Sequence, residues 1–194
     1  MKIAVVGAGA FGTALAVALA RGGAAVTLIG RDPGLADRRM VARHPGMVLP
    51  DGLGLSCNTD TVMTAGIILV AVPMQALGAC LSALPHLAGK AVVACCKGID
   101  LTTLRGPTAT IAATAPDAIP AILTGPSFAA DIALGLPTAL TLACRDARRG
   151  AEVQAALSVA GLRIYRSTDT TGAELGGALK NVIAIACGAC IGAG

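Results

Sequence analysis

The sequence predicts an α/β protein built on a doubly wound, mostly parallel sheet. Two observations favour this class. Short apolar runs alternate with longer Ala-rich or amphipathic stretches, and several of the runs are apolar at consecutive positions. Consecutive apolar residues are typical of strands that helices cover on both faces. Repeated alternation of strand and helix indicates a parallel sheet.

The expected strands are the short β-branched runs, and the expected helices are the longer stretches between them. The strands are Ile3–Val6, Ala25–Ile29, Ile67–Val72, Ala91–Cys95, Ala121–Leu123, Ala139–Ala143 and Arg163–Tyr165. The helices are Thr13–Ala20, Gln75–Leu84 and Gly150–Ala160. We therefore expect residues 1–168 to form one domain around this sheet.

The composition narrows the classes of partner. Of 194 residues, 55% are hydrophobic and 13% are charged, which excludes a disordered chain. The 15 Lys and Arg residues exceed the 11 Asp and Glu residues by only four charges, and they are scattered along the chain. Nucleic-acid binding usually needs a basic stripe. The sequence therefore favours an anionic small molecule over nucleic acid.

The cysteines indicate a reducing compartment. Seven cysteines, an odd number without the spacing of a secreted protein, are expected to be buried thiols in a cytoplasmic chain. Cys187 and Cys190 form a C-x-x-C pattern, but zinc would need further ligands, and the two histidines, His44 and His86, are distant in sequence. We expect packing here, rather than redox chemistry or a metal site.

The uncharged run from Ile3 to Ala20 has the hydrophobicity of a signal peptide or a membrane helix. Glycines interrupt it, and its first apolar stretch is only as long as a strand. We therefore expect no signal peptide and no stable membrane insertion. A homodimer is a possible assembly.

Those glycines form the strongest motif. Gly7-Ala8-Gly9-Ala10-Phe11-Gly12 follows the first strand and opens a helix, which is the dinucleotide-binding pattern. Gly7 allows a tight turn, Gly9 lets the backbone approach a pyrophosphate, and Gly12 lets the helix pack against the strand. The pyrophosphate would meet the positive end of the helix. A plain strand-to-helix turn is the alternative.

Residues after the second strand bear on the choice of dinucleotide. Arg31 follows Gly30 and could pair with a 2′-phosphate, which favours NADP. Asp32 comes next and could accept the ribose hydroxyl of NAD instead. The expected cofactor is therefore NADP or NAD.

Further candidates follow the later strands. Pro73, Lys97, Gly125 and Ser127 each come just after a predicted strand, and the carboxyl ends of parallel strands share one edge where ligands bind. Each residue alone has an ordinary explanation as a strand end, a surface charge or a turn. Their convergence on one edge favours a site.

The chain changes character after Tyr165. Leu175–Gly194 contains a single charge, Lys180, and we expect residues 169–194 to be the first helix of a second, all-α domain whose remainder is absent. A lysine in such a helix is costly to bury. Burial lowers the pKa of an amine, so a general base is one interpretation. A side chain that extends to solvent is the other.

Six segments resemble one family in order and spacing. They are Gly7-Ala-Gly-Ala-Phe-Gly-Thr-Ala-Leu-Ala, Val72-Pro-Met-Gln-Ala, Cys96-Lys-Gly-Ile-Asp, Gly125-Pro-Ser-Phe-Ala, Gly135-Leu-Pro-Thr-Ala and Gly176-Gly-Ala-Leu-Lys-Asn-Val-Ile-Ala-Ile. In these segments the chain resembles the NAD(P)-dependent glycerol-3-phosphate dehydrogenases, a family of oxidoreductases with a Rossmann-type sheet. The resemblance implies reversible reduction of dihydroxyacetone phosphate to sn-glycerol 3-phosphate for phospholipid synthesis.

The resemblance also implies residue roles. Lys180 would be the proton acceptor, and Lys97, Gly125, Ser127 and Lys180 would contact the substrate. The implied cofactor contacts are Gly7, Gly9, Ala10, Phe11, Gly12, Arg31, Pro73, Lys97 and Ala129. Ala10 and Phe11 stand where the family more often has serine and Trp or Tyr, which removes one hydroxyl but leaves the backbone amides.

The resemblance implies a further helical part that holds the substrate phosphate. We therefore expect residues 1–194 to bind the dinucleotide but to catalyse little. Two other interpretations stay open, a hydroxyacid or ketopantoate-type reductase and a non-catalytic dinucleotide sensor. The Gly125-Pro-Ser-Phe-Ala segment argues against the first, and Lys180 argues against the second.

Overall fold

The computed structural model describes residues 1–32, 34 and 49–194, and these residues form an eight-stranded sheet with helices on both faces. The strands are β1 Ile3–Val6, β2 Val26–Ile29, β3 Gly54–Ser56, β4 Ile67–Val70, β5 Ala91–Ala94, β6 Ile119–Thr124, β7 Thr138–Cys144 and β8 Leu162–Ser167. The helices are α1 Ala10–Arg21, α2 Leu77–Ser82, α3 Pro107–Thr114, α4 Ala129–Leu134, α5 Ala147–Leu157 and α6 Thr170–Gly192. The predicted α/β class is confirmed.

The sheet is buried from both sides. Ile3 and Val5 of β1 point into a core shared with α1, α4 and α5, whereas Ala4 and Val6 point into a second core shared with α2 and α3. Successive residues of a strand face opposite sides of the sheet. Two covered faces therefore require apolar side chains at consecutive positions, as the sequence shows.

The strand order creates a crevice at the end of β1. The order is β3-β2-β1-β4-β5-β6-β7-β8, and every neighbouring pair is parallel except β6 and β7. After β1 the chain goes first to β2 on one side and later to β4 on the other. Ligands of open α/β sheets bind outside the carboxyl ends of the strands at such a switch point.

Several elements differ from the sequence predictions. Strand β3 and helices α3 and α4 were not predicted, and the expected helix Gln75–Leu84 is a 3₁₀ turn, Met74–Ala76, followed by the short helix α2. Strand β3 has three residues, none of them fully buried, so it carries no apolar run. Helix α3 buries only Pro107, Thr110 and Ile111, which leaves no clear helical periodicity.

Helix α6 leaves the sheet as a long apolar element. Asp169 caps it by accepting a hydrogen bond from the Gly172 amide at 2.8 Å, and residues 181–194 are all exposed. Within the described ranges, α6 is the helix long and apolar enough to cross a membrane by length and composition alone.

Candidate functional site

The turn after β1 is built so that only glycine suits two of its positions. Gly7 has φ +110°, and its amide donates to the Ile29 carbonyl oxygen at 2.9 Å. A Cβ on Gly7 would overlap the Ala71 carbonyl oxygen, and a Cβ on Gly12 would overlap the Gly7 carbonyl oxygen. Helix α1 therefore crosses the end of β1 and the segment after β4 at backbone contact.

Gly9 is different, because the fold itself does not need a glycine there. Its backbone is extended, with φ −77° and ψ −179°, and a Cβ would meet no described atom within 4 Å. The N-cap residue, Gly9, has no side chain with which to cap α1, and the first turn of the helix contains no acidic residue. The start of a helix attracts anions through its amides and its dipole. The space over Gly9 therefore suits a close approach by an anionic group.

Arg31 lies just beyond the end of β2, beside this turn. Burial raises the pKa of the Cys80 thiol, and the charge of Arg31 partly offsets that rise, so the guanidinium lies near α2. The neighbouring carboxylate of Asp32 accepts a hydrogen bond from the Gly34 amide at 2.9 Å. The charge of Arg31 is thus close enough to α2, the helix after β4, to affect Cys80.

The loops after β4 and β5 are tied together. The Gln75 side-chain amide donates to the Ile99 carbonyl oxygen at 2.9 Å, and its oxygen accepts from the Leu101 amide at 3.1 Å. Pro73 is exposed at the start of the same 3₁₀ turn. Gln75 thereby holds the Pro73 loop against the loop that follows Lys97.

Lys97 links the ends of β5 and β6. Its Nζ donates to the Gly125 carbonyl oxygen at 3.0 Å. The pKa of the Lys97 amine is lowered, first by partial desolvation and second by the positive charge of Lys180. Two amines therefore lie close enough at this edge for their charges to interact.

Helix α6 brings Lys180 to the same place. Lys180 is half-buried, and its Nζ lies 5.8 Å from the centroid of the Phe128 ring. One turn earlier, a Cβ on Gly177 would come within 2.7 Å of Thr124 Oγ1 and 3.6 Å of Lys97 Cγ. The parallel strands β1, β4, β5 and β6 put this contact on the sheet edge that also carries the glycine turn.

The segment after Gly125 completes that edge. The Ser127 amide donates to the Gly125 carbonyl oxygen at 3.0 Å, and Ala129 begins α4. Phe11, near the start of α1, packs against the same core cluster as Ala129. The structure thus gathers Lys97, Gly125 and Lys180, while Phe11 and Ala129 lie on the α1 face.

Some residues escaped the sequence analysis. Thr124 is buried, and its hydroxyl has no hydrogen-bond partner among the described residues. The one sequence signal was its position before Gly125. Glu174 on α6 accepts a hydrogen bond from the Thr108 amide. Nothing in the sequence linked it to a segment so distant along the chain.

The described depressions and possible metal-ligand groups do not coincide with the candidate site. Surface depressions of about 550 Å³ and 640 Å³ contain none of the predicted site residues. In the described part of the chain, no three His, Cys, Asp or Glu side chains lie close enough to hold a metal ion. His44 lies outside that part. The candidate site is therefore defined by sheet topology.

A mostly parallel sheet with a glycine turn at its switch point defines a Rossmann-type α/β protein. Residues 2–149 match the family model described as NAD-dependent glycerol-3-phosphate dehydrogenase N-terminus, and residues 169–194 match the C-terminus of the same family. The chain belongs to the NAD-dependent glycerol-3-phosphate dehydrogenase family. The resemblance found in the sequence is confirmed.

Individual relatives agree. The chain is 58% identical over 197 residues to glycerol-3-phosphate dehydrogenase (NAD(P)+) of Paracoccus denitrificans, covering all of this chain and 62% of that relative. The crystal structure of glycerol-3-phosphate dehydrogenase from Coxiella burnetii has a TM-score of 0.84 and 29% identity, covering 95% of this chain and 59% of that one. The structure from Plasmodium falciparum, at 21% identity and a TM-score of 0.88, covers 99% of this chain and 59% of its own, and shows the fold alone. The chain thus spans about three fifths of the length of its relatives.

The glycine turn yields a prediction about stability. Gly12→Ala should lower the free energy of unfolding by about 3 kcal/mol. The added Cβ would overlap the Gly7 carbonyl oxygen, a backbone atom that cannot move aside easily. Gly9→Asp should leave stability equal or higher, because aspartate is a preferred N-cap and a Cβ at Gly9 meets no described atom within 4 Å. Urea unfolding of both variants measures this. Equal losses would contradict the assigned difference between the glycines.

Proposed function

We propose that residues 1–168 bind NADP or NAD as part of an enzyme that interconverts dihydroxyacetone phosphate and sn-glycerol 3-phosphate. The supporting observation is the meeting of Lys97, Gly125 and Lys180 at the sheet edge that carries the glycine turn. Membership of the family and the NAD(P)+ name of the relative support the same reaction. Its product would supply glycerophospholipid synthesis.

The residues at the switch point suit a dinucleotide. The space over Gly9 at the start of α1 would receive the diphosphate, and Arg31 would face a 2′-phosphate. The bound cofactor would supply a hydride acceptor or donor. The proposed cofactor contacts are Gly7, Gly9, Ala10, Phe11, Gly12, Arg31, Pro73, Lys97 and Ala129.

The two interacting amines suit a substrate on which negative charge develops. Negative charge on the C2 oxygen would offset the repulsion between Lys97 and Lys180, which partly lowers the pKa of Lys97. The Gly125 carbonyl oxygen orients Lys97, and Ser127 offers a hydroxyl on the same loop. We propose Lys97, Gly125, Ser127 and Lys180 as the substrate contacts.

In this mechanism Lys180 acts as the general base or general acid, depending on the direction of the reaction. In the oxidative direction its neutral Nζ accepts the proton of the C2 hydroxyl while C2 is oxidised. In the reductive direction its ammonium returns that proton to the oxygen at C2. Lys97 stabilises negative charge that develops on this oxygen, and the Phe128 ring limits where the Lys180 amine can lie.

We place the boundary between the proposed cofactor-binding and substrate domains at the start of α6. Strand β8 ends at Ser167, and Asp169 caps α6, so residues 169–194 would begin the helical substrate domain. Relatives continue beyond the part that this chain matches. Residues 1–194 would therefore bind the dinucleotide and show little turnover.

A cytoplasmic location without stable membrane insertion belongs to the same proposal. Although α6 passes the length and composition test for a membrane span, its Glu174 and Lys180 contact the sheet domain. Charged side chains are costly inside a bilayer and rare in membrane-spanning helices. A small phosphorylated partner, no nucleic acid and a homodimer remain predictions.

The diphosphate cradle predicts separable effects on stability and binding. Gly9→Asp should abolish most ligand-induced stabilisation, because a carboxylate would stand where the diphosphate must lie. For the unaltered chain at 100 times the dissociation constant, that stabilisation is about 2.7 kcal/mol. Thermal-shift measurements with NADPH and NADH test it. If the Gly9→Asp variant is still stabilised by the cofactor, the diphosphate does not bind at this turn.

Arg31 should govern the choice between cofactors. Arg31→Ala should weaken NADPH binding about tenfold or more, since it deletes a charge-assisted contact, while NADH binding changes little. Calorimetric titration with both cofactors measures the ratio. Equal weakening for both would assign Arg31 a general electrostatic role.

Lys180 should be essential for turnover in the complete enzyme that contains this chain. Lys180→Met removes the amine at similar length, so kcat should fall by about 10²- to 10⁴-fold with little change in cofactor affinity. Lys2→Met makes the same charge change at an exposed N-terminal position and should retain activity. Turnover of Lys180→Met equal to that of the control would exclude the proposed mechanism.

A further inference from the structure

Helix α3 is capped by a side chain from another helix. The N-cap residue of α3 is Gly106, which has no side chain to accept a hydrogen bond. Glu174 of α6 takes this role, because its Oε1 accepts the Thr108 amide hydrogen at 2.6 Å. A carboxylate at a helix N-terminus gains from both the hydrogen bond and the dipole.

Gly106 makes room for this carboxylate. Its backbone, at φ −73° and ψ 170°, is extended and open to any residue, so no special conformation calls for glycine. A Cβ there, however, would overlap Glu174 Oε2, so the end of the flexible Glu174 side chain would have to move from its present position. Glycine at position 106 therefore leaves the carboxylate room for its hydrogen bond to the Thr108 amide.

Glu174 belongs to the row of α6 residues that faces the sheet domain. Gly177 and Lys180 follow it at successive spacings of three residues, so the three lie along one slanted line of the helix. Glu174 meets α3, Gly177 meets Thr124 and Lys97, and Lys180 meets Phe128. Beyond Lys180 every residue of the helix is exposed.

The contact has consequences for the rotation of α6. Gly177 offers no side chain, and the start of the helix is held by Asp169 and by an Arg145–Thr170 hydrogen bond of 3.3 Å. Those bonds fix where the first turn begins. Glu174 adds a charged, directional contact more than a turn further on, nearer to Lys180. Rotation of the helix about its axis would pull this carboxylate off the Thr108 amide.

We propose that Glu174 is a positioning residue that sets the rotation of α6 and thereby holds the Lys180 amine beside Lys97. This role rests on the proposed function of Lys180. Glu174 touches neither substrate nor cofactor in this scheme, because its carboxylate is committed to the first turn of α3.

The amine of Lys97 reports the position of Lys180. Its pKa is lowered in part by the charge of Lys180, and the chain has four lysines, Lys2, Lys90, Lys97 and Lys180, which isotope-labelled lysine resolves by NMR. If Glu174→Ala lets α6 rotate, the Lys97 pKa should rise toward its value in Lys180→Met. Loss of a nearby negative charge alone would instead lower the Lys97 pKa, so the sign separates the two effects.

Two further variants serve as controls. Glu174→Gln keeps a hydrogen-bond acceptor for the Thr108 amide and should not raise the Lys97 pKa. Gly106→Val keeps the negative charge but places a branched side chain where the Glu174 carboxylate lies, and should raise the Lys97 pKa as Glu174→Ala does. Adding Gly106→Val to Glu174→Ala should then have little further effect, since the two changes remove one contact. If Glu174→Ala does not fold, Gly106→Val and Glu174→Gln decide the question.

Kinetics of the complete enzyme give a second readout. Glu174→Ala should lower kcat about 10- to 100-fold with little change in cofactor affinity, and Glu174→Gln should restore most of the loss. A folded Glu174→Ala variant with an unchanged or lowered Lys97 pKa would overturn the proposal. Activity that survives Lys180→Met would instead refute the proposed function, while the Lys97 measurement would still decide whether Glu174 orients α6.

Discussion

The steric contact among Gly7, Gly12 and Ala71 is the constraint on which the site depends. Helix α1 can start directly over the end of β1 only because two crossing backbones meet there without Cβ atoms. That crossing directs the start of α1 to the point where β2 and β4 diverge from β1. The anion-binding end of the helix and the crevice of the sheet therefore coincide.

The other end of the site is organised by electrostatics. Lys97 and Lys180 come from elements far apart in the chain, yet the charge of one lowers the pKa of the other. Like charges at close range are unfavourable unless an anion joins them. The Gly125 carbonyl oxygen relieves part of this cost for Lys97, and under the proposed mechanism the negative charge that develops on the substrate oxygen would relieve more. The arrangement is thus better suited to the bound state than to the free one.

Helix α6 contacts the rest of the protein through one face. Glu174, Gly177 and Lys180 contact the sheet domain, whereas the residues after Lys180 are exposed. Gly177 on this face lets the helix approach the end of β6 closely, and the Glu174 carboxylate fixes its orientation by accepting a hydrogen bond from the Thr108 amide of α3. The position of Lys180 therefore depends on how the whole of α6 packs and is rotated against the sheet, and not only on the residues around the amine.

Local sequence patterns predicted much of this structure, because they reflect local physical requirements. β1 was predicted at its observed bounds, since burial on both faces demands consecutive apolar residues. β3 and α3 were missed because one is three residues long and the other buries few side chains. The candidate residues at the strand ends were found because parallel strands share an edge.

By itself, the sequence determined the sheet class, the glycine turn and the types of residue that could act at the edge of the sheet. Only the tertiary structure decided which of these groups meet. The Lys97–Lys180 interaction and the capping of α3 by Glu174 depend on distances between elements separated by many residues. Such distances follow from how helices pack on the sheet, which local patterns of hydrophobicity do not encode.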